Sequence, residues 1–156
     1  MTKPTILILT IVYLASVLIV GIFGMQIMSF NTVNYISSIT LTNDNDHLEF
    51  SHNRDTLMFF EKSKDEEATP YMEYQLIFNF KAGMTIKITP RLTGVDSTLD
   101  PTNKELDVNV FCNEDAPDCI TYANGVFTVN KMGTATVTYR SKDTSNKKMV
   151  IKLITI

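Results

Sequence analysis

The chain has 156 residues, 44% of them hydrophobic, and a formal net charge of −3. That length fits one domain. The mild acidity argues against a nucleic-acid partner and against electrostatic adhesion to anionic lipid, because both need clustered Lys and Arg.

The apolar residues are not evenly spread. Lys3 is the only charged side chain before Asp44, and Thr5 to Phe30 is almost wholly apolar. As a helix this stretch would be roughly 39 Å long, enough to cross a hydrocarbon core of about 30 Å with some tilt. Residues 5–30 therefore read as a transmembrane helix whose partner is the lipid bilayer, with residues 1–4 as a short cytoplasmic tail. A cleaved signal peptide would have a shorter apolar core and a small-x-small cleavage site; a cut after Gly24 or Ser29 is the competing reading. A core helix of a soluble protein would show a polar face, and none is visible. Lys3 precedes the helix and no Lys or Arg follows until Arg54, so the positive-inside rule puts the N-terminus in the cytoplasm. The expected location is the cell membrane, single-pass, with residues 31–156 outside.

After Phe30 the pattern changes to alternation, the signature of strands with one buried face. Tyr35, Ile39 and Leu41 share one parity. Met72, Tyr74, Leu76, Phe78 and Phe80 share another, as do Met84, Ile86 and Ile88. Leu106, Val108 and Val110 follow, then Ala135, Val137 and Tyr139, and finally the β-branched tail Met149–Ile156. Asn124-Gly125, between Ile120–Ala123 and Val126–Val129, is a two-residue hairpin signal because both residues tolerate positive φ. Short strands separated by turns predict an all-β sandwich. The segment 44–70 is expected to be an irregular insertion. Its charged stretch Glu61–Glu67 breaks the strand pattern and reads as a solvated loop, with a docking edge as the alternative.

From Phe80 to Arg140 the chain resembles the group 2 bacterial immunoglobulin-like domains of invasin- and intimin-type surface proteins. The resemblance is carried by the Gly-led strand Ala82-Gly83-Met84 through Pro90, the middle strand Val108–Phe111, Gly125-Val126-Phe127-Thr128-Val129 and, most of all, Gly133-Thr134-Ala135-Thr136-Val137-Thr138. The family's middle strand often carries a Trp, where this chain has Phe111. The resemblance implies an Ig-like sandwich at a cell surface, and it implies no fixed ligand and no catalytic residues.

Cys112 and Cys119 bracket an acidic loop. In an extracytoplasmic domain two cysteines favour a disulfide, worth about 2.5 kcal/mol for so short a loop; the alternative is a pair of free thiols. Neither has a neighbouring histidine to complete a zinc site. Glu114, Asp115 and Asp118 offer hard oxygen donors, but their spacing matches no EF-hand loop. They read as an exposed tip that a partner can contact. Asn43–Asp46 reads likewise as a solvated acidic turn. His47 and His52, near Asp46, Glu49, Arg54 and Asp55, make a weak candidate for metal or acid–base chemistry, since at five residues apart they face opposite sides of a strand. No nucleophile elbow and no phosphate-cradling Gly-rich loop occur. The expectation is a protein with no catalytic, cofactor or metal residues: a non-catalytic, membrane-tethered Ig-like module that binds, spaces or assembles cell-envelope components through a protein partner in the membrane or envelope. The alternative is an accessory single-pass subunit of a larger secretion, transport or surface-appendage complex.

Overall fold

The computed structural model describes residues 3–30, 33–52, 57–65 and 69–156. The chain divides into two compact units, Met1–Val33 and Asn34–Ile156.

The first unit is one helix, α1 (Lys3–Phe30). Pro4 is tolerated in its first turn, where the missing N–H has no intrahelical partner anyway. The hydroxyls of Thr10 and Ser16 donate back to the carbonyls of Ile6 and Val12, at 2.9 and 2.8 Å, so their polarity is satisfied within the helix. Pro4–Phe23 is long and apolar enough to cross a membrane, and no part of it is buried by protein.

Among the described residues, the second unit has eleven strands. Five form one sheet in the order β3 (Met58–Lys64), β4 (Tyr71–Phe78), β11 (Lys148–Thr155), β10 (Gly133–Ser141), β7 (Leu106–Cys112). Four form another: β2 (Leu48–Phe50), β5 (Met84–Ile88), β9 (Val126–Val129), β8 (Ile120–Ala123). A two-stranded ribbon joins β1 (Ile36–Thr40) to β6 (Arg91–Gly94). Every pairing is antiparallel except β4 with β11. The inward faces of all three sheets share one hydrophobic core, the layered arrangement of a β-sandwich.

The alternating residues supply that core. Tyr74, Leu76, Ile86, Phe127, Val137 and Ile151 are fully buried, with their neighbours of the same parity. The Asn124-Gly125 turn has φ of 52° and 82°, the two positive values that let a two-residue turn follow the twist of its strands.

Two expectations are corrected. Tyr35 does not share the buried face of Ile39 and Leu41. The register of β1 on β6 shifts between Ile36 and Ser38, so Ile36 is buried and Tyr35 is exposed; one extra residue reverses the parity of everything before it. The segment 44–70 is also more ordered than an irregular insertion, because it holds β2 and β3. Glu61 to Lys64 lie in β3, an edge strand whose side chains are mostly exposed, so charge costs little there. Glu66 and Glu67 lie outside the described residues.

The start of the second unit is pinned by polar contacts. The Asn34 amide donates to the carbonyls of Asp96 and Leu99 at 3.0 and 2.8 Å and accepts from the Asp96 N–H at 2.9 Å. The Ile36 N–H donates to Asp143 at 2.7 Å. Burial pushes the Asp143 carboxyl up, but the bonds from Ile36 and Ser145 outweigh it and hold the group below the usual carboxylate range.

Two buried tyrosines test how polar groups are handled in the core. The Tyr74 oxygen accepts the Leu41 N–H at 3.0 Å, whereas the Tyr139 hydroxyl has no hydrogen-bond partner among the described residues. Tyr74→Phe is expected to cost about 1–3 kcal/mol, because a buried N–H loses its acceptor. Tyr139→Phe is expected to leave stability unchanged or to raise it. Urea unfolding of both variants checks this; equal losses would contradict it.

Candidate functional site

The loop between β7 and β8 carries the sequence-predicted site residues. Glu114, Asp115, Pro117 and Asp118 are exposed, while Ala116 and Cys119 are buried. Two successive turns shape it: the Ala116 N–H donates to Asn113 and the Cys119 N–H to Ala116, at 3.0 and 3.2 Å. Asp118 takes a positive φ of 57°, a conformation Asp tolerates better than most residues. The Asn130 side-chain amide donates to the Asp118 carbonyl at 3.0 Å, and the Asn130 N–H to the Cys119 carbonyl at 2.8 Å. Gly133 lies beneath the loop. A Cβ there would come within 2.6 Å of the Ala116 methyl, so the absent side chain is what lets the loop settle onto β10.

The expected disulfide is not present. Cys112 and Cys119 approach to 3.3 Å but are free thiols. The brace is non-covalent instead. The Cys112 thiol donates to the Ile120 carbonyl at 3.4 Å, and the buried Cys119 packs beside Gly133. Burial, reinforced by Cys112, pushes the Cys119 thiol up to about 11, so its reactive thiolate is scarce at neutral pH.

Beside this loop the edges of the two main sheets, β7 and β8, border an open cleft of about 500 Å³, lined by Val108, Val110, Phe111, Cys112, Ile120 and Tyr122. Among the described residues, Asp118 is the one charged residue on its wall. Sequence reasoning missed Phe111 and Tyr122 as surface residues, because alternation identifies a strand without telling whether a neighbour covers it. A second, smaller cleft of about 230 Å³ includes Ser38, Ser63, Tyr71 and Lys148, with the Lys148 ammonium 4.0 Å from the Tyr71 ring centre.

The histidines are not brought into a common site with one another. The His47 ring meets Asp44 at 2.7 Å, and that carboxylate also accepts the Asp46 and His47 N–H groups, forming a local turn. The hydrogen bond from His47 holds Asp44 below the usual carboxylate range. The His52 ring meets the Ser51 hydroxyl at 3.1 Å. Arg54 and Asp55 lie outside the described residues. Among the described residues, no three His, Cys, Asp or Glu side chains gather closely enough to hold a metal ion.

Alkylation of the native protein without reductant should modify Cys112, which is half-buried, well before Cys119, which is fully buried. Site-resolved mass spectrometry checks the order. Equal rates would contradict the packing described, and resistance of both residues until reductant is added would show a bridge.

No family model matches the chain, and neither a curated protein nor a solved structure matches it.

Proposed function

We propose that this protein is a membrane-tethered Ig-like module that binds or assembles components of the cell envelope and performs no catalysis of its own. The observation that carries the reading is α1. Twenty consecutive residues, Pro4–Phe23, present apolar side chains on every side with none covered by protein. So large an apolar surface is stable in hydrocarbon and not in water. The α1 backbone bonds are internal to the helix, as a bilayer requires.

The second unit supports the rest. It has a complete core of its own, and the two-residue Asn124-Gly125 turn closes the β8–β9 hairpin. The strand Gly133–Thr138, which carries most of the family resemblance, lies next to the central strand. The carboxylates Glu114, Asp115 and Asp118 stand in solvent on a braced loop, a suitable contact surface for a protein partner. With Lys3 before the helix, the N-terminus is cytoplasmic and this loop faces outward.

Protease added to the outer side of intact spheroplasts should remove the β unit, and detergent extraction after crosslinking should recover it with a partner. Full protection until lysis would reverse the topology. Recovery of the chain alone, at every crosslinker length, would remove the binding role.

A further inference from the structure

The two ends of the five-stranded sheet are treated differently. At one end β3 carries Glu61, Lys62 and Lys64, mixed charges of the kind that discourage pairing with another chain. At the other end β7 has a single charged residue, Asp107, and no strand among the described residues pairs with its outer side. The Asn113 N–H donates to Thr134 and the Lys142 N–H to the Glu105 carbonyl, so the odd-numbered positions face β10. By the two-residue repeat of a strand, the N–H and C=O groups of Leu106, Val108, Val110 and Cys112 face the open side. Their side chains are the inward-pointing ones, and all four are only half-buried. Phe111 is 66% exposed on the outer face.

Across the cleft stands β8, the edge of the other sheet, where Tyr122 stacks on Phe127 with ring centres 4.7 Å apart. The Cys112–Ile120 contact ties the two edges together at one end. Charge is polarised along this groove. Near Leu106, Lys142 reaches both Glu105 and Asp107, at 3.3 and 3.6 Å, and offsets part of their charge. Near Cys112, Glu114, Asp115 and Asp118 form no ion pair among the described residues.

Resting on the reading of this domain as a binding module, we propose that the β7–β8 cleft receives an extended segment of a partner protein, added as a strand on β7. The segment alternates apolar and polar residues and bears Lys or Arg at the end beside Glu114, Asp115 and Asp118. The outward backbone groups supply the ladder, Val108, Val110 and Tyr122 receive the apolar side chains, and the carboxylates set the position of the basic end. A second copy of this chain fits less well. Antiparallel pairing of β7 with itself in the register that keeps both apolar faces inward sets each acidic loop beside Glu105 and Asp107 of the other copy, acid against acid.

The test uses full-length protein in detergent micelles and synthetic peptides about as long as β7, alternating valine and threonine and capped at one end with lysines, glutamates or neither. The lysine-capped peptide should bind about tenfold more tightly than the glutamate-capped one, with the gap closing as salt rises. Binding should slow hydrogen exchange at the Val108 and Val110 amides, the mark of an added strand, and leave β3 unaffected. Val110→Lys should abolish binding, and Asp118→Lys should reduce the preference for the basic cap; unchanged thermal unfolding shows that each variant folds. Absence of binding by every peptide, protection at β3 instead, or a dimer that Val110→Lys dissociates would overturn the proposal. The wider reading fails differently: a partner recovered by crosslinking and retained by Val110→Lys leaves the binding module standing and removes the cleft.

Discussion

The β domain depends on the placement of its last strand. β11 occupies the middle of the five-stranded sheet, pairing parallel with β4 and antiparallel with β10. Its inward residues Met149, Ile151 and Leu153 are fully buried. Burying side chains of this kind is worth about 1.5–3 kcal/mol each. Without β11, β4 and β10 would face each other across a gap with unpaired backbone, and the inner faces of both would be open. Because β4 and β11 run parallel, the chain between them cannot be a tight turn. It supplies β5, β8 and β9 of the other sheet, β6 of the ribbon and the two strands at the β7 end. The β4–β11 and β7–β10 pairings therefore join residues distant in sequence, contacts of the kind that slow folding.

This arrangement determines where the molecule can be approached. With β11, β4 and β10 committed to the interior, the sheet ends on β3 and β7. The charged β3 edge is poorly suited to another strand, and the β7 edge is apolar, half-buried and next to an acidic loop. The loop holds its shape without a covalent staple: its turns, the Asn130 amide and the close approach over Gly133 constrain it while leaving its carboxylates in solvent. Polar anchoring at Asn34 and Ile36 fixes the opening of the domain immediately after the segment that follows α1. A rigid domain with an open, chemically biased edge is well matched to binding.

Much of the fold was legible residue by residue. A strand reads clearly when both its neighbours are in place, because one face is then wholly apolar; Tyr74–Phe78, Met84–Ile88, Ala135–Tyr139 and Met149–Leu153 are of this kind. The Asn124-Gly125 hairpin read clearly because its chemistry is local. Three features were hidden, each because it depends on distant residues. The bulge in β1 reversed the parity at Tyr35 and Ile36. The charges of Glu61–Lys64 suggested a loop, since nothing nearby reveals that this segment lies at an edge. Cysteine spacing suggested a bridge, whereas the fold sets the two thiols close without bonding them. The order of strands was equally invisible, and with it the fact that β7 and β8 border the same opening. The candidate site was thus half legible: the acidic loop from its composition, the cleft beside it only from the topology.

The proposed role requires the apolar helix to hold this domain at a membrane as part of the mature protein. Isolated membranes washed with alkaline carbonate, followed by intact-mass measurement of the chain, test that claim most directly. The account predicts that the protein stays with the membrane pellet at a mass that includes residues 5–30. Release into the supernatant, or a mass lacking that segment, would contradict it.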